Sequence, residues 1–156
     1  CDFAICSDNA SFCLSEVRLG LIPSVISPYV VKAIGSRAAS RYFISAEIFS
    51  AEDALKSGLV SEICHLDELE KVAEHLVGLI TANAPLAIIE VKKLIKRVEV
   101  LPINEEMIRD TAQKIADRRA SPEGKEGVSA FLEKREPQWP QESNNVTDLV
   151  DGDADV

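Results

Sequence analysis

The 156-residue chain has only two histidines, one tryptophan and one methionine, and 5% of it is aromatic. Its four cysteines (Cys1, Cys6, Cys13, Cys64) and two histidines form neither a CxxC nor an HxxxH spacing. A zinc site needs three or four such ligands, so Cys64 beside His65 reads as a chance pair and no metal is expected. The cysteines stand among apolar neighbours, where a free thiol packs as a small hydrophobe, so core burial is expected for them. Unpaired thiols suit a reducing compartment, the cytoplasm or an organelle matrix, and not secretion. No apolar run reaches membrane-span length. The front lacks the charged, apolar, small-residue layout of a secretory leader. Cys1 followed by Asp2 is an unusual opening, and the chain is expected to begin inside a longer protein.

A basic surplus is missing too. The net charge is −9, but Glu142, Asp148, Asp151, Asp153 and Asp155 supply five of the negatives with no base among them. The residues before them hold 21 acids and 17 bases, which argues against nucleic-acid binding. Residues 141–156 carry too little apolar surface to fold and are expected to form a disordered acidic tail.

What is present is a short strand-rich front and a helical back. Phe3–Cys6 and Ser11–Val17 read as extended pieces around the Ser7-Asp8-Asn9 turn. Pro28 suits the first turn of a helix that Gly35 stops, and Ser36 caps another running to about Phe43. Ser50 and Asp53 form a capping box before a short helix ended by Gly58, and Leu59–Cys64 is strand-like. Helices follow from Asp67, with Leu69, Val72, Leu76 and Ile80 on one face, and from Pro85, with Ile88, Val91, Ile95 and Val98 on another. Two more start at Pro102 and at Ser121-Pro122, the last carrying Val128, Phe131 and Leu132. So few short strands cannot make a sheet alone, and pairing partners are expected before Cys1 or in another subunit.

One carboxylate interrupts the apolar front. Phe12, Leu14 and Glu16 share strand parity, so if the first two face inward Glu16 does too. A carboxylate against an apolar wall has its ionised form disfavoured, which suits proton exchange near neutral pH. Val17, Leu19 and Leu21 have the opposite parity. If theirs is the buried face, Glu16 is merely solvated.

Three segments together resemble the enoyl-CoA hydratase/isomerase (crotonase) superfamily. They are Cys1–Ser7 with Ala10-Ser11-Phe12 and Ser15-Glu16-Val17-Arg18-Leu19-Gly20-Leu21-Ile22-Pro23, then Ser50-Ala51-Glu52-Asp53-Ala54 through Gly58-Leu59-Val60, then Glu126-Gly127-Val128-Ser129-Ala130-Phe131-Leu132-Glu133-Lys134-Arg135. Order and spacing match across roughly residues 1–140. The resemblance implies an α/β chain: the C-terminal part of the crotonase spiral in 1–64, lacking its N-terminal part, then a helical trimerisation and coenzyme A-binding region in 65–140. It implies a homo-oligomer, a trimer or a hexamer, acting on an acyl-CoA thioester. No separate cofactor is implied, because coenzyme A is part of the substrate.

Glu16 matches the second of two glutamates flanking the substrate double bond in the hydratases, the one that exchanges a proton with the α-carbon. Ser15 and Leu19 match positions lining the acyl group. Ser24 matches a position whose backbone N–H helps orient the water. Phe131 and Lys134 match positions contacting coenzyme A; three apart on a helix, they would share a face, with a ring for the adenine and an ammonium for a phosphate. The bland alternative is a core Phe131 and a solvated Lys134. The first glutamate and both oxyanion donors match positions before Cys1, so the chain alone is expected not to turn over a thioester.

The family's glycine-rich run after the proline is replaced here by Ser24-Val25-Ile26-Ser27-Pro28, and Ser15 stands where proline is commoner. Val25 and Ile26 should reshape the acyl pocket, and similar replacements lean toward the methylglutaconyl-CoA hydratase-like branch. The cluster Lys92, Lys93, Lys96 and Arg97 reads as a solvated helix face. His65 and His75 lie outside the matched blocks. Two other functions stay open: an enoyl-CoA isomerase of the same fold, and a non-catalytic remnant that binds subunits or coenzyme A.

Overall fold

A computed structural model describes residues 1–139. The expected tail, 141–156, lies outside the described residues. Two compact units divide the chain, Cys1–Gly78 and the residues from Leu79 onward.

The first unit is built on two small strand pairs. β1 (Ile5–Ser7) pairs in parallel with β4 (Glu62–Cys64), and β2 (Ser11–Phe12) pairs antiparallel with β3 (Phe49–Ser50). Between them run α1 (Ser27–Ser45) and α2 (Ala51–Ser57), and α3 (Leu69–Thr81) begins beyond β4. Pro28 sits in the first turn of α1, and Gly35 breaks the helix with a left-handed φ of 73°. That is the stop the sequence predicts, since a residue with a Cβ avoids this region. The Ser50 hydroxyl accepts the Asp53 N–H at 3.2 Å to start α2, and Gly58 closes it in the left-handed conformation.

These elements enclose one apolar cluster of Ile34, Ala39, Tyr42, Phe49, Ala54 and Val60, with Phe12 and Leu14 packed against it. The Phe49 ring stacks between Tyr42 at 3.9 Å and Phe12 at 5.4 Å between centroids. Of the cysteines expected in the core, half-buried Cys6 packs against the apolar cluster, whereas Cys1 and Cys13 are exposed and Cys64 is half-buried. Burial is still enough to push the Cys6 thiol above its ordinary range. Among the described residues no group of three or more potential ligands forms a metal site.

In the second unit, α4 (Pro85–Val100), α5 (Glu105–Ala120) and α6 (Pro122–Glu133) follow in order. The start of α5 differs from expectation. Asn104, not Pro102, caps it, its side-chain oxygen accepting the Met107 N–H at 2.9 Å. Ser121 caps α6 through the Gly124 N–H. A Cβ on Gly124 would collide with the Arg118 carbonyl, so this tight α5–α6 junction requires glycine. The predicted stripe of α4 is largely in solvent, with Val91, Ile95 and Val98 exposed. No single described helix is long and apolar enough to cross a membrane.

Candidate functional site

Glu16 does not sit in a strand. β2 ends at Phe12, and Glu16–Leu19 is a single 3-10 turn closed by Gly20 at φ 69°. The Arg18 N–H reaches the Ser15 carbonyl at 3.0 Å, and the Leu21 N–H returns to the Glu16 carbonyl at 3.1 Å. Extended backbone cannot make these local bonds, so the strand expected over Ser11–Val17 ends early.

The parity argument survives this change. Phe12, Leu14 and Glu16 are half-buried, whereas Cys13, Ser15 and Val17 are exposed. Glu16 turns inward far enough that its Oε2 is shut off from solvent, with no hydrogen-bond partner among the described residues. A buried polar oxygen without a partner costs about 1–3 kcal/mol, so such groups call for a chemical reason. The solvated alternative for Glu16 is therefore excluded for one of its two oxygens.

The turn is fastened to the end of α1. The Arg18 guanidinium donates to the Ala46 carbonyl at 2.5 Å, and the Cys13 thiol reaches the same oxygen at 3.4 Å. Ala46 is fully buried and ends α1 in the left-handed conformation, at φ 52°.

Ser15 is exposed and precedes the turn without a side-chain capping bond. Leu19 is 76% exposed, and Leu21, Ile22, Val25 and Tyr29 continue an apolar surface along the following loop and the start of α1. Ser24 lies in that loop, its N–H donating to the Ile22 carbonyl at 2.8 Å and its carbonyl accepting from the Ser27 hydroxyl at 3.0 Å. Glu16, Ser15, Leu19 and Ser24 thus share the first unit. Phe131 and Lys134 belong to the second.

Phe131 is 82% exposed on α6, which rules out a core role within the described residues. Lys134 does not continue the helix, contrary to the shared-face expectation. It stands at φ 53° as the left-handed residue of a C-terminal turn, with Arg135 N–H to Ala130 carbonyl at 3.0 Å. From there the chain doubles back along α6. Arg135 grips Glu126 through two bonds of 2.6 and 3.0 Å, and the Gln138 N–H adds a third at 2.7 Å. The Arg135 guanidinium and this amide hold the Glu126 carboxyl down at about 2. Trp139 then donates its indole N–H to the Ala82 carbonyl at 2.9 Å, its ring beside Gly127. The ring also borders a cleft of about 450 Å³ with Ala87, Ile115 and Val128, which does not include Glu16.

A residue the sequence did not single out organises this unit. Glu123 is 2% exposed, and its carboxylate accepts the Leu86 and Ala87 N–H groups at 3.0 Å each and Arg118 at 2.6 Å. Ala84 offers α4 no side-chain cap, so Glu123 satisfies two orphan amides from 36 and 37 residues away. The only local hint was an acid in the first turn of α6.

Against known proteins, residues 1–142 match the family described as enoyl-CoA hydratase/isomerase. A carnitinyl-CoA dehydratase from Salmonella typhimurium is 32% identical over 142 residues, covering 88% of this chain and 54% of that protein. The chain spans about half the length of the curated relatives it matches. A solved Legionella pneumophila chain assigned to enoyl-CoA hydratase/isomerase (crotonase) superposes with TM-score 0.87 at 48% identity, over 90% of this chain and 54% of that one. An enoyl-CoA hydratase from Shewanella pealeana gives 0.82 at 46% identity, over 88% and 51%. The strand pairs, the broken α1 and the helical second unit are thus part of a crotonase fold, and the chain belongs to the enoyl-CoA hydratase/isomerase family.

Proposed function

We propose that this chain serves in the reversible addition of water to a 2-enoyl-CoA thioester, with Glu16 exchanging the proton at the α-carbon. Hydroxide equivalent from water adds at the β-carbon, a proton adds at the α-carbon, and the double bond becomes single. The observation that carries this reading is the solvent-shielded, unpartnered Oε2 of Glu16, which shares the half-buried parity of the core-packed Phe12 and Leu14. A proton-transfer carboxylate must be held near its carbon and kept from bulk water, which would compete for it.

Ser15 and Leu19 flank the acyl group in this reading, and Val25 and Ile26 reshape its pocket. Their replacement of the family's glycine-rich run favours the methylglutaconyl-CoA hydratase-like branch, while the carnitinyl-CoA dehydratase relatives favour the same chemistry run in either direction. The Ser24 N–H would share its hydrogen between Ile22 and the water. Phe131 offers its exposed face to the adenine of coenzyme A, and Lys134 its ammonium to a phosphate. As the family resemblance implies, the working unit is a homo-oligomer, a trimer or hexamer, and the apolar residues exposed on α4 to α6 are available to be covered in it. Nucleic acid and membrane are not partners in this reading, and the compartment is the cytoplasm or an organelle matrix.

Mixing the full-length protein that carries this chain with crotonyl-CoA and following loss of the enone absorbance tests the proposal. Glu16→Gln should lower turnover about 10²- to 10⁴-fold, the range of a positioned acid/base group, with coenzyme A affinity nearly unchanged. Full activity in that variant would sink the role given to Glu16. Migration of the double bond in a 3-enoyl-CoA without water uptake would instead assign the same carboxylate to an isomerase.

A further inference from the structure

We infer that Arg18 is a positioning residue for Glu16, acting through the Ala46 carbonyl at the end of α1. The inference rests on the acid/base reading of Glu16 given above. The turn that carries Glu16 is four residues long, buries no side chain completely and has no side-chain cap at Ser15. Its few internal bonds hold neither its shape nor its placement without an outside tie. What ties it to the body of the unit is the Arg18 guanidinium, which spans 28 residues of sequence to reach Ala46 at 2.5 Å. The Cys13 thiol, five residues before Arg18, meets the same oxygen from the other end of the segment.

Ala46 is a firm anchor. It is fully buried, its N–H is bonded to the Tyr42 carbonyl at 3.1 Å, and Tyr42 stacks on Phe49 in the core. It also directly follows α1 as its C-terminal cap, where helix carbonyls concentrate negative partial charge, so a cation is favoured there. In a 3-10 turn, residues two apart point about 120° from each other around the axis. One turn can therefore send Arg18 to the helix end and Glu16 toward the packed side of Phe12 and Leu14. Releasing Arg18 lets the turn pivot, and a displacement of about 1 Å at a reacting group costs on the order of 100-fold.

The test compares Arg18→Ala and Arg18→Lys with wild type and with Glu16→Gln, all in the full-length protein that carries this chain, by two readouts. Amide hydrogen exchange follows the Gly20 and Leu21 N–H groups, which close on the Val17 and Glu16 carbonyls. Turnover of crotonyl-CoA follows kcat and KM separately. Expected in Arg18→Ala are at least tenfold faster exchange at these two amides and a 10- to 100-fold lower kcat. KM should stay within about threefold, and Arg18→Lys, which keeps the cation, should recover part of both effects. Unchanged exchange in Arg18→Ala overturns the inference at its structural root. Faster exchange with unchanged kcat, while Glu16→Gln is inactive, reduces Arg18 to a structural tie and overturns the positioning role. Full activity in Glu16→Gln refutes the acid/base reading itself, a failure recognisable apart from the other two.

Discussion

In the unit Cys1–Gly78, Tyr42, Phe49, Ile34 and Val60 lose nearly all contact with solvent and pack on one another. In the unit from Leu79, only Met107 and Ala130 among the described apolar side chains are buried, and polar clasps do the fastening. Glu123 ties α6 and Arg118 to the start of α4, Glu126 ties the returning chain to α6, and Arg97 pairs with Asp110 at 2.7 Å across α4 and α5. The first arrangement is non-directional and tolerates small shifts. The second is directional, and each clasp fails when one partner is lost. A unit fastened by clasps can keep its apolar side chains outward, as α4 to α6 do, for use elsewhere.

The difference can be broken on either side. Phe49→Ala should cost the first unit about 4 kcal/mol, because a ring stacked on both faces leaves a cavity between Tyr42 and Phe12. Urea unfolding should show this loss. Glu123→Ala should cost the second unit about 3 kcal/mol, leaving two amides and Arg118 without their partner. The figure is held to the low end because Arg118 is 26% exposed and can regain water. Glu123→Gln should recover part of the loss, and neither Glu123 change should alter exchange protection around Phe49.

Lys134→Gly should sharpen the contrast in the opposite direction. Relief of a left-handed residue bearing a Cβ gains about 1–2 kcal/mol, and the added freedom of glycine in the unfolded chain removes about 0.5–1 of it. A net stabilisation of about 0.5–1 kcal/mol is expected on thermal unfolding. If Lys134 also contacts coenzyme A, KM should rise in the same variant, since a uniform binding contact is lost. Stability and affinity would then move apart.

The smallest effect is in acid. The Glu126 carboxyl lies at about 2 in the folded chain against an ordinary 4.5, held down first by Arg135 and then by the Gln138 amide. A depressed carboxyl contributes stability that is fully present above 4.5 and disappears as pH falls through about 2. Trp139 is the chain's one tryptophan, so its fluorescence should report the returning segment loosening across that window. Glu126→Gln should flatten the transition.

Much of this was legible in the sequence where the physics is local. Ser50 and Ser121 cap where their spacing says, and Gly35 and Gly58 stop helices because left-handed backbone favours glycine. The shared parity of Phe12, Leu14 and Glu16 was readable too, but not which of the two faces turns inward. The 3-10 turn was not, because alternation through Leu21 mimics a strand while the tie that bends it, Arg18 to Ala46, is 28 residues away. Glu123 was hidden for the same reason, and Asn104 was masked by the more conspicuous Pro102. Phe131 and Lys134 are adjacent in pattern but part ways at the helix end, which periodicity cannot see.

The parallel pairing of β1 with β4 joins segments 57 residues apart, as the Ala4 to Ser61 bond beside them marks. During synthesis at about 5–20 residues per second, β1 is made roughly 3–11 s before its partner. Three residues of strand are too short to recruit a stranger in that interval. Brevity here protects the nascent polypeptide, and the ladder closes only when the ribosome has passed Cys64.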